Sequence, residues 1–278
     1  MEAKLPKLEA KKSLGQHFLT NTHVPILMIE AGGVQIGDIV LEIGPGTGVL
    51  TRELLKKGAK VVAIEADIRA VESLRESFDT EIKTQMLTIV HGDVRELDLF
   101  ALGLRPHAYK IIANIPYYLS GFLFRMFLEH KIQPSDMVFL VQREVAERIA
   151  RDTKESLLSL SIKVFGTPKY IKTVGKGNFT PPPKIDSAII AINNISKDNF
   201  AHISQEFFFT VLHEGFKSKR KQLFGNLSTL VSREQLIHIF STLGIKEKVR
   251  GEDLPLVKWL ALAEMLYTQM HPHMSPHS

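Results

Sequence analysis

Five short apolar runs recur along the first half of the chain, and their spacing leaves few folds open. Ile39 to Ile43, Lys60 to Ile64, Leu87 to Val90, Tyr109 to Ala113 and Met137 to Val141 are rich in Ile and Val and too short for helices. Runs of this kind suit strands buried on both faces of a sheet. Between them lie helical stretches, Val49 to Lys57 closed by Gly58, Ile68 to Phe78 and Leu119 to Glu129, and a further helix spans Asn21 to Ala31. Strand and helix alternating at this interval predict an α/β fold of parallel βαβ units.

Beyond Val141 a charged helix, Arg143 to Arg151, leads to Ser156 to Phe165, then Lys169 to Val174, a loop with prolines at 181 to 183, and the apolar run Ser187 to Ile192. That last run completes the sheet as a hairpin partner. The polar stretch Asn193 to Asp198 reads as a linker. Everything after it is helical, over Phe200 to Glu214, Ser218 to Leu230, Arg233 to Leu243 and Leu256 to Met270. The expected division is therefore a sheet domain over 1–195 and a smaller all-helical domain over 196–278.

Composition narrows the chemistry. With 278 residues, 44% hydrophobic and 23% charged, the chain is globular material with room for such a pair of domains. It has no cysteine, so disulfides and thiolate metal sites are excluded and a reducing cytoplasm is the expected location. Its eleven histidines show no metal-ligand spacing, and no metal is expected. Met1 to Lys12 is a basic arm without the apolar run of a signal peptide, and no segment is long and apolar enough to span a membrane. A Pro/Ser-rich tail carries His271 and His273. The net charge of +5 permits a polyanionic partner without requiring one.

The candidate site lies at the ends of the strands. Leu41-Glu-Ile-Gly-Pro-Gly-Thr-Gly48 joins the first strand to its helix, where Gly44 and Gly46 would let a ligand approach the backbone. The nicotinamide fingerprint G-x-G-x-x-G is not met, because Val49 stands where its last glycine belongs and the third glycine falls at 48. Glu65 ends the second strand about 20 residues on, the place where an acid accepts from ribose hydroxyls. Gly92-Asp93 ends the third strand and Asn114 the fourth. In an open parallel sheet these four ends line one crevice. Singly each is accounted for as a turn or cap; together they point to a nucleoside-type cofactor.

The stretch Lys110 to Tyr118 carries the other half of the site. Pro116 bars regular continuation of the strand, which therefore ends at Asn114. A carboxamide at Asn114, the carbonyl of Ile115 pinned by Pro116, and the ring of Tyr117 offer two acceptors beside a flat apolar surface, suited to the exocyclic amine of a planar base. Taken alone, Asn-x-Pro-Tyr reads first as a helix cap followed by a core tyrosine, and it becomes informative only beside the cofactor site upstream.

Across nearly its whole length the chain resembles the KsgA-type small-subunit rRNA adenine dimethyltransferases, class I S-adenosylmethionine-dependent methyltransferases with a Rossmann-like sheet. The resemblance rests on Gly15-Gln-His-Phe-Leu19, Glu42-Ile-Gly-Pro-Gly-Thr-Gly48, Asn114-Ile-Pro-Tyr117, Val141-Gln-Arg-Glu-Val145, Phe179-Thr-Pro-Pro-Pro-Lys-Ile-Asp-Ser187 and Phe216-Lys-Ser-Lys-Arg-Lys221, met in that order. It implies that His17, Leu19, Gly44, Gly46, Glu65, Asp93 and Asn114 contact S-adenosyl-L-methionine, with Asp93 accepting from its adenine amine and Glu65 from its ribose. It further implies that Asn114 and Ile115 hold the protons of an adenine N6, that Tyr117 stacks on the base, and that Phe179 covers the other face. Lys217, Lys219, Arg220 and Lys221, expected to share a helix, are implied to grip RNA. The implied partner is small-subunit rRNA in an assembling ribosomal subunit, met by a monomer away from any membrane. Two alternatives remain at this stage, a macrolide-resistance type enzyme acting on large-subunit rRNA and a non-catalytic nucleic-acid binder.

Overall fold

The computed structural model describes residues 8–11, 14–96, 98–218 and 220–271. The expectations for the basic arm before residue 8, for Lys219 and for His273 in the tail lie outside the described residues.

The chain divides into two compact units, one running to Ala150 and resuming over Gly166–Ile195, the other made of Arg151–Phe165 and the chain from Ser196. The last junction, after Ile195, falls at the linker read from the sequence. The excursion of Arg151–Phe165 into the second unit is a correction to the continuous 1–195 domain.

The first unit opens with β1 (Phe18–Leu19) and α1 (His23–Ala31). It continues through β2 (Ile39–Ile43), α2 (Val49–Lys56), β3 (Lys60–Glu65), α3 (Ile68–Ser77), the short α4 (Asp79–Lys83) and β4 (Leu87–His91). Next come β5 (Lys110–Asn114), α5 (Ser120–Glu129), β6 (Asp136–Gln142) and α6 (Arg143–Ala150). The helix α7 (Leu157–Lys163) belongs to the other unit, after which β7 (Thr167–Val174), β8 (Phe179–Thr180) and β9 (Ser187–Asn193) complete the first.

Seven of these strands form one sheet in the order β4-β3-β2-β5-β6-β9-β7. Strands β4, β3, β2, β5 and β6 are mutually parallel, and β9 runs antiparallel between β6 and β7. The apolar runs are central strands for a plain reason. From Val40 to Ile43, from Ile111 to Ala113 and from Met137 to Val141 every residue is buried, so no polar face is available to turn toward water. Residues 188–192 of β9 are buried in the same way, which places that strand inside the sheet rather than at its rim. The rim strand β7 carries exposed Lys169 and Lys172, charges that discourage edge pairing.

Because five strands are parallel and successive, their C-terminal ends share one edge of the sheet. Residues 43–44, 65, 92–93 and 114 thus meet although they are distant in sequence. A second sheet of two strands, β1 with β8, pairs Leu19 with Phe179 and Phe18 with Thr180. Two-residue strands leave no periodic pattern, so this pairing is not legible from residue order.

The second unit adds α8 (Gln205–Phe216), α9 (Leu223–Leu227), α10 (Arg233–Thr242) and α11 (Leu256–Met270). Ser204 and Ser232 cap α8 and α10 with side-chain acceptors, and in α10 the Ser232 N–H donates in return to Gln235 Oε1. Its core forms around fully buried Trp259 with Phe208, Leu212 and Leu266.

Candidate active site

At the C-terminal edge of the parallel strands lies a solvent-open cleft lined by both polar and apolar side chains. Its walls include Ile43, Gly44 and Gly46 from the loop after β2, Glu65 and Ala66 after β3, and Gly92 to Arg95 after β4. Residues 114–119 after β5 and 14–18 from the N-terminal segment close it.

The glycine loop divides its work. Gly44 sits at φ +68°, and a Cβ there would meet no atom within 4 Å, so its backbone borders open cleft. Gly48, at φ +78°, stands just before α2, where a Cβ would lie 2.7 Å from Phe78 and 2.8 Å from Leu74. The third glycine therefore serves the packing of α2 against α3, and the departure from the nicotinamide spacing has a structural reason.

Glu65 is buried, and both its oxygens are held: Gly46 N–H donates to Oε2 at 3.0 Å and Asp67 N–H to Oε1 at 2.9 Å. Burial pushes its carboxyl above the usual range, partly opposed by these donors. Each oxygen retains a lone pair, so the group remains able to accept from a diol. Behind it, Glu42 is buried against Thr51, whose hydroxyl donates at 2.7 Å, and burial pushes that carboxyl up to about 8.

Asp93 faces the cleft in an ion pair with Arg95, which donates from its side chain to both carboxylate oxygens and from its backbone to Oδ1. Arg95 holds the Asp93 carboxyl below its ordinary value. A neighbouring acid, Asp67, caps α3 and accepts from Arg69, from Gln16 Nε2 at 3.3 Å and from Lys11 Nζ at 3.4 Å. These contacts tie the N-terminal wall to the sheet.

Asn114 donates from Nδ2 to the carbonyl of His17 at 3.0 Å. A carbonyl can only accept, so the nitrogen of the amide must face it, and Oδ1 is left as an acceptor for a ligand. Tyr117 follows Pro116, whose φ of −57° and ψ of 130° turn the chain off the strand. Its phenol lies 2.6 Å from Ser187 Oγ, and its ring stacks on His17 with centroids 5.7 Å apart and planes 25° from parallel. The His17 imidazole is fixed in turn by the Pro181 carbonyl, 2.8 Å from Nδ1.

The structure thus gathers His17, Gly44, Gly46, Glu65, Asp93, Asn114, Ile115, Pro116 and Tyr117 around one cleft. Two expected site residues are elsewhere. Leu19 and Phe179 are ladder partners, 5% and 3% exposed, and both pack in the core cluster with Val24, Met28 and Ile189. Side chains alternate along a strand, so with Phe18 turned to the cleft Leu19 turns away. Phe179, expected to cover the target base, instead packs in the core and does not line the cleft, and the ring facing Tyr117 is His17.

The basic segment is corrected as well. Helix α8 ends at Phe216 and α9 begins at Leu223, with a turn closed by Lys221 N–H to the Ser218 carbonyl between them. Lys217, Arg220 and Lys221 therefore share no helical face, although all three are exposed, and Lys217 pairs with Glu214 at 3.1 Å.

Gln16, Arg95 and Tyr118 were not foreseen in the cleft lining. Arg95 had a local signal, a cation two residues beyond the strand-end acid Asp93.

The residues present fit an S-adenosylmethionine-like group: an open backbone at Gly44, a diol acceptor at Glu65, an amine acceptor at Asp93, and apolar Ile43, Ile64 and Val94 between them. The chain matches the family described as ribosomal RNA adenine dimethylase over residues 7–268. It belongs to that family. Proteins called ribosomal RNA small subunit methyltransferase A resemble this rRNA adenine dimethylase family member over most of their length. The one from Dehalococcoides mccartyi strain BAV1 is 35% identical over 258 residues, 92% of this chain and 88% of that protein. The one from Thermosynechococcus vestitus is 35% identical over 268 residues, 93% and 97% of the two. Among solved structures, a dimethyladenosine transferase from Plasmodium falciparum superposes with a TM-score of 0.74 at 27% identity, covering 88% of this chain and 96% of that one. A 23S rRNA methyltransferase, ErmE, shares the fold with a TM-score of 0.73 at 22% identity, covering 90% and 99%.

Proposed function

We propose that this member of the rRNA adenine dimethylase family transfers methyl groups from S-adenosyl-L-methionine to N6 of two adjacent adenosines near the 3′ end of small-subunit (16S) rRNA, a step in ribosome biogenesis. The observation that carries the reading is the Asn114 carboxamide, fixed by His17 so that its oxygen is offered to the cleft at the end of β5.

When bound, the cofactor supplies an electrophilic methyl on a sulfonium and leaves as a neutral thioether. The chain's own task is to make N6 nucleophilic and to place it. The N6 lone pair is delocalised into the purine, and the amine must pyramidalise to attack. Acceptors at Asn114 Oδ1 and the Ile115 carbonyl hold its protons and favour that geometry as positive charge develops. The alkylated nitrogen then releases a proton to water, so no general base is needed. The Tyr117 ring offers the base an apolar face whose electrons favour a growing cation. Glu65 and Asp93 anchor the ribose and adenine of the cofactor.

An adenine enclosed this way must leave its stack, which is easiest in unpaired RNA. The exposed Arg220 and Lys221, with Lys217, supply cations for the RNA backbone in the helical unit. The protein acts as a monomer in the cytoplasm on small-subunit rRNA within an assembling subunit; among the described residues no helix is long and apolar enough to cross a membrane. Mapping methylated nucleotides in rRNA from a strain lacking the gene tests the reading. Loss of dimethyladenosine from the two adjacent positions is expected, and unchanged small-subunit rRNA contradicts it.

A further inference from the structure

We propose that Ser187 is a positioning residue for methyl transfer, its buried hydroxyl pinning the phenol of Tyr117 and so fixing the ring against which the target base rests. The inference rests on the function proposed above and adds a residue that does not line the cleft.

Ser187 is the first residue of β9, fully buried, with Gln142 of β6 and Val174 of β7 as its ladder partners on either side. The five residues after it are Ala or Ile, all buried. A hydroxyl in such a place is costly unless it is paired. Its partner is the Tyr117 phenol at 2.6 Å, 70 residues away in sequence.

Tyr117 is held at its other end too. Its carbonyl accepts from the Ser120 hydroxyl at 2.9 Å, and one face of its ring meets His17. With backbone, face and phenol all fixed, the ring has one orientation. Releasing the phenol frees the one end that reaches furthest from the backbone. The slot is narrow: rings 5.7 Å apart stand closer than the roughly 7 Å that a base stacked between two aromatic faces takes up, at about twice a 3.5 Å van der Waals contact. A base stacking on that same face would displace the His17 ring, while Ser187 keeps Tyr117 in place. Burial raises the Tyr117 phenol above its ordinary pKa, opposed in part by the bond to Ser187.

The test is a double-mutant cycle of Ser187→Ala, Tyr117→Phe and both together, read by single-turnover methylation of undermethylated small subunits, with cofactor affinity by calorimetry and thermal midpoints alongside. Each single change is expected to slow transfer about fivefold to tenfold, and the double to slow it no further, because both delete one bond. S-adenosylmethionine affinity should stay within twofold of wild type. Tyr117→Phe leaves β9 intact, so the cycle remains informative where Ser187→Ala lowers stability. Wild-type rates in both single variants, or losses that multiply in the double, would overturn the inference. A merely structural role would lower the thermal midpoint and weaken cofactor binding together. An inactive wild-type enzyme in the same assay would remove the function and the inference with it.

Discussion

The carboxamide of Asn114 is oriented by a residue 97 positions earlier, the carbonyl of His17 accepting from its Nδ2 at 3.0 Å. The N-terminal segment thus orients a cleft side chain as well as forming a wall of the cleft.

Asn114→Ala should lower methyl transfer by about 100-fold or more, the scale for deleting one transition-state hydrogen-bond partner, with the fold retained. Single-turnover rates and a thermal melt check this. Near-normal turnover would remove Asn114 from its role.

Glu65→Ala should raise the dissociation constant for S-adenosylmethionine by about tenfold or more while leaving RNA affinity unchanged. The ribose loses its acceptor, and the N–H groups of Gly46 and Asp67 lose theirs, so the loop after β2 loosens as well. Calorimetry with each ligand separates the two affinities, and an unaltered cofactor constant would count against the diol assignment.

Phe179→Ala is expected to act through stability. A buried phenylalanine truncated to alanine costs about 3–5 kcal/mol, and Phe179 is 3% exposed in the core cluster. Denaturant unfolding should show the loss, with specific activity of the folded fraction near wild type. Full stability combined with lost activity would return the ring to the base.

Glu42 predicts a pH dependence. Its carboxyl is raised from an ordinary 4.5 to about 8, chiefly by burial, so the folded protein binds this proton more tightly than the unfolded chain. The associated stability is fully present below about pH 4.5 and is lost as pH rises toward 8. Thermal midpoints of the wild type should fall between pH 5 and about 8.5. Glu42→Gln, which carries no titrating proton, should flatten that fall; Glu65, shifted in the same direction, keeps it from vanishing. Equal pH slopes in the two proteins would show that Glu42 does not titrate in this window.

Much of this was legible in the sequence because it follows from short-range pattern. Apolar runs such as Ile39 to Ile43 and a helix such as Leu256 to Met270 stand where their residues place them, since nothing else accommodates those periods. The cleft was legible for a topological reason: parallel strands put Gly44, Glu65, Asp93 and Asn114 on one edge whatever the details of packing. What could not be read depends on contacts between distant segments. The pairing of Leu19 with Phe179 buries both side chains in the core, and it involves strands of two residues each. The bond from Tyr117 to Ser187 joins residues whose proximity only the completed sheet decides. The helix expected over Ser218 to Leu230 begins only at Leu223, because Asn226 donates to the carbonyls of Gly215 and Ser218 and folds the chain back on itself.

The central claim is tested most directly by incubating the purified protein with methyl-labelled S-adenosylmethionine and undermethylated small ribosomal subunits, then mapping the label by mass spectrometry of nuclease fragments. Two adjacent N6,N6-dimethyladenosines near the 3′ end of the small-subunit rRNA are predicted, with no incorporation into large subunits. Label found in large-subunit rRNA instead, or in neither, would contradict the account.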